Sequence, residues 1–235
     1  MKNLPVLFLP GTLCTPSVFS SQVKALKPLA PQIDVVRFAL EDSISEMADT
    51  AIKHIDPKVG SAIVGFSMGG MVAMEIARRA PELIKKLALL NTNLHADIPG
   101  RHPARLQQLI EARASGMGTI IRRYYLGRYL HQADPAVCKQ IITMADKLGT
   151  NCFEAQIHAL ATRLDSRGVL ASIKSPTLIL GASDDQLCPQ IEQRQMHQTV
   201  KNSDLKILDA CGHFSILEKP LEVNHALKDW YLQEC

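Results

Sequence analysis

The chain has 235 residues, 46% hydrophobic and 21% charged, with a formal net charge of +3. That length suits one large domain, or one domain carrying an insertion, with a sizeable buried core. So small a positive excess, without any Lys/Arg-rich run, argues against nucleic acid as a partner, and no apolar run approaches the ~20 residues of a membrane span. The N-terminal run Leu4-Pro5-Val6-Leu7-Phe8-Leu9 is as long as a short signal-peptide core, but Pro10-Gly11 stands where a small-x-small cleavage site would be, so the run reads as a strand. The six cysteines, at 14, 138, 152, 188, 211 and 235, form no Cys-x-x-Cys pair. Their scatter predicts reduced thiols in a cytoplasmic protein and neither a disulfide framework nor a zinc site.

Leu4 to Leu9 is a continuous apolar run closing on Pro-Gly, the pattern of a strand buried on both faces. After a loop from Pro10 to Ser17, apolar residues recur at helical spacing from Val18 to Leu29, and Ile33 to Phe38 reads as the next strand. Ser43 to Ile55 reads as a helix, with Ser43 as N-cap and Glu46 three residues on, a capping-box spacing. A strand at about residues 60 to 65 leads into Gly65-Phe66-Ser67-Met68-Gly69-Gly70 and a helix to Arg79, ended by Pro81. Ile84 to Leu90 is another buried strand, closing on Asn91-Thr92-Asn93.

From about Leu94 to Leu170 no β-like run occurs; Arg105 to Ala114, Thr119 to Tyr129, Pro135 to Leu148 and Cys152 to Leu164 all have helical patterns. The last strands are Pro176 to Leu180 and Asp204 to Leu208, with helices at Glu192 to Thr199 and Leu221 to Leu232. Six strands alternating with helices predict a parallel sheet covered on both faces, with ligands bound beyond the carboxyl ends of the strands.

A strand, a Gly-x-Ser-x-Gly turn and a helix make the layout of a nucleophile elbow, in which a tight turn lifts a serine above the sheet. Ser67 is then the candidate nucleophile, and a serine hydroxyl needs a base to take its proton. His213, in Ala210-Cys211-Gly212-His213-Phe214, follows the last strand and so emerges at the same sheet edge. His54, His131, His158, His197 and His225 fall on predicted helices and read as surface groups. The base needs a carboxylate to fix its tautomer. Asp184 and Asp185, after the penultimate strand, are both placed for that, and adjacent residues point different ways, so one of them reaches His213. An oxyanion hole needs backbone N–H donors. Met68, at the start of a helix, is one; the loop Pro10-Gly11-Thr12-Leu13 supplies the other, Thr12 preferred and Leu13 the alternative, with Gly11 allowing close approach.

These residues resemble the α/β-hydrolase superfamily over nearly the full chain: Leu9-Pro10-Gly11-Thr12, Gly65-Phe66-Ser67-Met68-Gly69-Gly70, Pro176 through Pro189, and Cys211-Gly212-His213. The resemblance implies an α/β-hydrolase fold, a mostly parallel six-stranded sheet in the order 4-3-5-6-7-8, with a core at 1–93 and 171–235 and a helical cap at 94–170 inserted after strand 6. It also selects Asp185 as the acid, counted from Pro176 and back from Pro189, although Asp184 keeps the usual offset from Gly181. Pro10 stands where many members have histidine, and the N-terminal hairpin is missing. The implied chemistry is hydrolysis of an ester or related acyl bond of a small molecule by Ser67, His213 and Asp185, with no cofactor and no metal. The alternatives are non-hydrolytic or carbon–carbon-cleaving chemistry on the same triad, or a non-catalytic binding protein. Leu13 and Phe66 are expected beside the substrate. The segment from Leu94 to Leu170 holds ten Arg/Lys against six Asp/Glu. Its basic-aromatic cluster Arg122-Arg123-Tyr124-Tyr125 with Arg128-Tyr129 makes Arg123 a candidate contact for an anionic acyl substrate.

Overall fold

A computed structural model describes residues 4–233 of the chain. Cys235 lies outside them; the five cysteines within them are all unpaired. Six strands, β1 (Val6–Leu9), β2 (Ile33–Val35), β3 (Ser61–Phe66), β4 (Ile84–Leu90), β5 (Thr177–Ala182) and β6 (Ser203–Leu208), form one sheet in the order β2-β1-β3-β4-β5-β6. Every neighbouring pair is parallel, and the order is the one the resemblance implies.

The period of two in β1 divides the core. Val6 and Phe8 point to one face and pack with α1 (Ser20–Leu26) and α11 (Pro220–Leu232) through Leu26, Val223 and Trp230. Leu7 and Leu9 point to the other and pack with α2 (Ile44–Ile52), α3 (Met68–Arg79) and α9 (Gln190–Thr199) through Met47, Val72 and Met196. Burial on both faces is why the central strands β1, β3 and β5 read as nearly continuous apolar runs, whereas the edge strand β6 alternates.

The helix α2 starts at its expected cap: Ser43 Oγ accepts from the Glu46 amide. Glu46 Oε2 reaches back one residue further than the box predicts, to the amide of Asp42. The expected helix from Val18 begins as a 3₁₀ turn, Pro16–Phe19, before α1. The strand β2 is shorter than its apolar run, since its partner β1 ends at Leu9 and a single further bond, Val36 N to Phe8 O at 2.9 Å, follows.

Between β4 and β5 the chain is helical: α4 (Arg101–Ser115), α5 (Met117–Ile120), a π-helical turn at Ile121–Tyr125, α6 (Leu126–Tyr129), α7 (Pro135–Thr162) and α8 (Arg167–Ser172). Gly149 breaks α7 with φ 76 and ψ −177, where the sequence reading separates two helices. Two short helices, α8 and α10 (Ser215–Glu218), are absent from that reading. His131, expected on a helix, sits in the turn after α6.

One buried polar contact locks the last helix. Lys86, on β4, donates from Nζ to the carbonyls of Trp230 (3.0 Å), Tyr231 (3.0 Å) and Gln233. An ammonium at a helix C-terminus satisfies carbonyls that have no intrahelical donor and faces the negative end of the helix dipole. Lys86→Met keeps the apolar stem but leaves those carbonyls short of donors. A loss of about 1–3 kcal/mol is expected in urea unfolding followed by circular dichroism.

Candidate active site

Ser67 lies between β3 and α3 with φ 53 and ψ −116, one of four non-glycine residues at positive φ among the described residues. A conformation this uncommon persists only where its surroundings enforce it. Here they do: a Cβ on Gly69 would lie 1.9 Å from Leu9 O, and one on Gly65 would lie 2.5 Å from Gly69 O. Only glycine lets β1, β3 and α3 approach this closely. The Ser67 amide donates to Leu90 O at 2.9 Å, and Thr92 Oγ1 donates to Ser67 O at 2.7 Å, so β4 holds the turn from the other side.

His213 Nε2 lies 2.9 Å from Ser67 Oγ, and its Nδ1 lies 2.8 Å from Asp185 Oδ2. A carboxylate only accepts, so Nδ1 carries the proton and Nε2 is left to accept from the serine hydroxyl. His213 and Asp185 are both buried. Asp185 accepts four bonds: Oδ1 from the amides of Leu187 and Cys188, both at 2.8 Å, and Oδ2 from His213 and from Asn91 Nδ2 at 3.0 Å. Burial raises the pKa of this carboxyl, but His213 and the other donors outweigh it and hold it below the usual carboxylate value. Asp184 points elsewhere, exposed, with Ser183 Oγ donating to it at 2.5 Å and His131 Nδ1 at 3.3 Å.

The amide of Leu13 is occupied: it donates to Gln156 Oε1 at 2.8 Å. Among the described residues the amides of Thr12 and Met68 have no acceptor. These two come together beside Ser67, with Thr12 Oγ1 3.6 Å from Met68 Sδ, and Gly11 packs so that a Cβ there would lie 3.2 Å from Ser67 Cβ.

A cavity of about 180 Å³ opens over Ser67 and His213, and Thr12, Leu13 and Phe66 line its base. Arg123 does not line it. Its side chain is 65% exposed, pairs with Glu111 at 3.1 Å and lies 5.8 Å over the Tyr124 ring. The correction is one of helical phase: from the same cluster Tyr125, Arg128 and Tyr129 line the cavity, spaced i, i+3, i+4, with Arg128 still exposed, while Arg122 and Arg123 are exposed and do not line it.

The sequence reading missed several groups. Asn91, at φ 45, is fully buried, donates to Asp185 and accepts from Ser215 Oγ. A polar Asn91-Thr92-Asn93 run at a strand's carboxyl end was the available signal. Tyr129 O accepts from the His213 amide at 2.6 Å, and its ring stacks on the imidazole at 5.8 Å. Gly212 is required there, since a Cβ would lie 2.5 Å from Tyr129 O. The helical segment thus holds the histidine by its backbone, which no local pattern announces.

Among the described residues one trio of metal-binding types comes together, Asp185, Cys188 and His213, with ligand atoms within 4.8 Å. All are already engaged. Burial pushes the Cys188 thiol far above its ordinary value, so it stays protonated, and both Asp185 oxygens accept hydrogen bonds.

Residues 40–220 match the alpha/beta hydrolase fold family, and the chain belongs to it. A relative named "Putative carbamate hydrolase RutD", from Pseudomonas savastanoi pv. phaseolicola, is 28% identical over 174 residues, covering 71% of this chain. The chain spans 66% of that relative's length, just under two thirds. Pimeloyl-(acyl-carrier protein) methyl ester esterase of Neisseria meningitidis serogroup C is 26% identical over 186 residues, 77% of this chain and 72% of that protein. A solved structure of a thermophilic esterase from Thermogutta terrifontis superposes with a TM-score of 0.86 at 24% identity, covering 97% of this chain and 89% of that one. At that identity the likeness is one of fold. No helix of the described residues is long and apolar enough to cross a membrane.

Proposed function

We propose that the chain is a serine hydrolase that cleaves a carboxylic ester or related acyl bond of a small molecule through an acyl-enzyme intermediate. The observation that carries this reading is the unbroken hydrogen-bonded run from Asp185 through His213 to Ser67, at 2.8 and 2.9 Å, opening on a cavity. His213 Nε2 takes the hydroxyl proton as Ser67 Oγ attacks the carbonyl carbon; Asp185 keeps the imidazole in register and stabilises the imidazolium. The developing oxyanion is received by the amides of Thr12 and Met68, which among the described residues have no acceptor within the protein to give up. His213 then returns its proton to the leaving alcohol and activates water to release the acid. No step requires a cofactor. The helical segment between β4 and β5 serves as a cap that closes the acyl site. The relatives' names fit this chemistry, since a carbamate and a methyl ester both offer a carbonyl carbon bearing a heteroatom.

A fluorophosphonate probe tests the reading directly. Stoichiometric labelling is expected, with the modified peptide containing Ser67 and labelling lost on prior heat denaturation. Labelling elsewhere, or none, rejects it.

A further inference from the structure

Four arginines, Arg101, Arg105, Arg128 and Arg163, line the cavity over Ser67, and among the described residues no aspartate or glutamate does. Two of them are accounted for by the fold. Arg163 is buried and donates to the carbonyls of His95 (2.9 Å) and Leu160 (2.6 Å) and to Asp97 Oδ1 (2.9 Å). Arg105 forks onto Asp97 at 2.6 and 3.1 Å. One carboxylate shared by two guanidinium groups leaves a net positive charge beside the cavity. Arg101 and Arg128 add to it, and among the described residues neither guanidinium has a hydrogen-bonding or ionic partner; the Arg101 amide donates to Ile98 O.

Arg101 is half-buried and Arg128 exposed, so both reach solvent, but both also line the cavity. Arg101, Ala104, Arg105 and Gln108 all line the cavity, at positions i, i+3, i+4 and i+7 of α4, so the helix turns a cationic stripe inward. The π-helical turn before α6 brings Tyr125 and Arg128 to the same space from the facing side. The field reaches the cavity wall: burial raises the Tyr125 hydroxyl pKa, while Arg105 and Arg128 pull it back.

Resting on the hydrolase reading above, we infer that the substrate is an ester carrying a carboxylate a few bonds from the scissile carbonyl, received by Arg101 and Arg128. Guanidinium forks match a carboxylate bidentately, and the small cavity keeps that anion near the reacting centre. A neutral ester of the same length leaves both arginines unpaired, so discrimination arises without any change at Ser67.

The test compares kcat/KM for matched esters, corrected for spontaneous hydrolysis, in two arms. In the acyl arm, mono-4-nitrophenyl adipate is set against 4-nitrophenyl hexanoate. In the alcohol arm, the butyrate ester of 4-hydroxybenzoate is set against that of 4-hydroxyacetophenone. The anionic ester is expected to be favoured by about tenfold at low salt in one arm, which identifies the side of the ester that carries the charge, and the preference shrinks at 0.5 M NaCl. The Arg101→Gln/Arg128→Gln double variant brings the ratio close to one, whereas Arg123→Gln leaves it at the wild-type value. Thermal melts confirm that the double variant is folded, and free adipate, competing against 4-nitrophenyl hexanoate, inhibits wild type more strongly than the variant. Ratios at or below one in both arms, or a double variant that keeps the wild-type ratio, overturn the inference. Failure of the hydrolase reading is separate: none of the four esters turns over, or turnover survives Ser67→Ala.

Discussion

Ser67→Ala is expected to lower kcat/KM for 4-nitrophenyl hexanoate by roughly 10⁴–10⁶-fold, with a melting temperature within about 3 °C of wild type. The size of the loss follows from what alanine removes. It deletes the oxygen proposed to attack and the 2.9 Å bond to His213 Nε2, and the proposed covalent intermediate has no other nucleophile to form on. It leaves the amides of Thr12 and Met68 in place, because both are backbone donors that no change at position 67 deletes. A residual acceleration over water of about 10³–10⁴ from binding and oxyanion stabilisation is therefore consistent with the mechanism. Stability changes little for a reason visible in the backbone. The strained φ of 53 at residue 67 is set by Gly65, Gly69 and the bonds to β4, and Ser and Ala share the Cβ that bears the strain. Stopped assays with purified protein decide it. Activity above a tenth of wild type sinks the nucleophile assignment.

The fold was legible because burial writes itself into composition. Strands covered on both faces are apolar at most positions, and Ile84–Leu90 and the elbow strand could be bounded to within a residue or so. The elbow was legible because three elements collide at Gly65 and Gly69 unless those positions lack a side chain. Short amphipathic turns were not legible. The helices α8 and α10 have six and four residues, too few for a hydrophobic period to emerge. Which face of the helical segment looks inward was equally hidden. Arg122-Arg123-Tyr124-Tyr125 announces a cluster, but the choice of Tyr125 and Arg128 over Arg123 depends on where α4 packs and on the π-helical turn. Long-range polar partners such as Gln156 on the Leu13 amide join residues 143 apart in sequence, and no local pattern encodes them. The signal for Asn91 existed, in a polar residue ending an apolar strand, and its meaning came only with the position of Asp185.

Asp185→Asn is the second large effect, and its comparison with Asp184→Asn separates two neighbours that the sequence leaves open. Asparagine at 185 keeps one carbonyl oxygen, which can still accept from the amides of Leu187 and Cys188. Its NH₂ group then faces His213 Nδ1 and donates where the carboxylate accepted. The imidazole responds by moving its proton to Nε2, which can no longer take the proton of Ser67, so kcat should fall by about 10³–10⁴-fold with little change in KM. Asp184 faces His131 and Ser183 at the surface, and Asp184→Asn should stay within about twofold. The pH dependence of stability gives an independent reading. Because the folded-state pKa of Asp185 lies below its ordinary value of 3.8, the ionised carboxylate contributes stability above pH 3.8 and loses it as pH falls below that value. Wild type and Asp185→Asn should therefore differ most in denaturant midpoint near neutral pH and converge as pH drops below 3.8. A large kinetic loss in Asp184→Asn, with Asp185→Asn active, would transfer the acid to the neighbouring residue. His213 would then have to swing away from Asp185 and towards the surface, and the bond from its Nε2 to Ser67 would break with it.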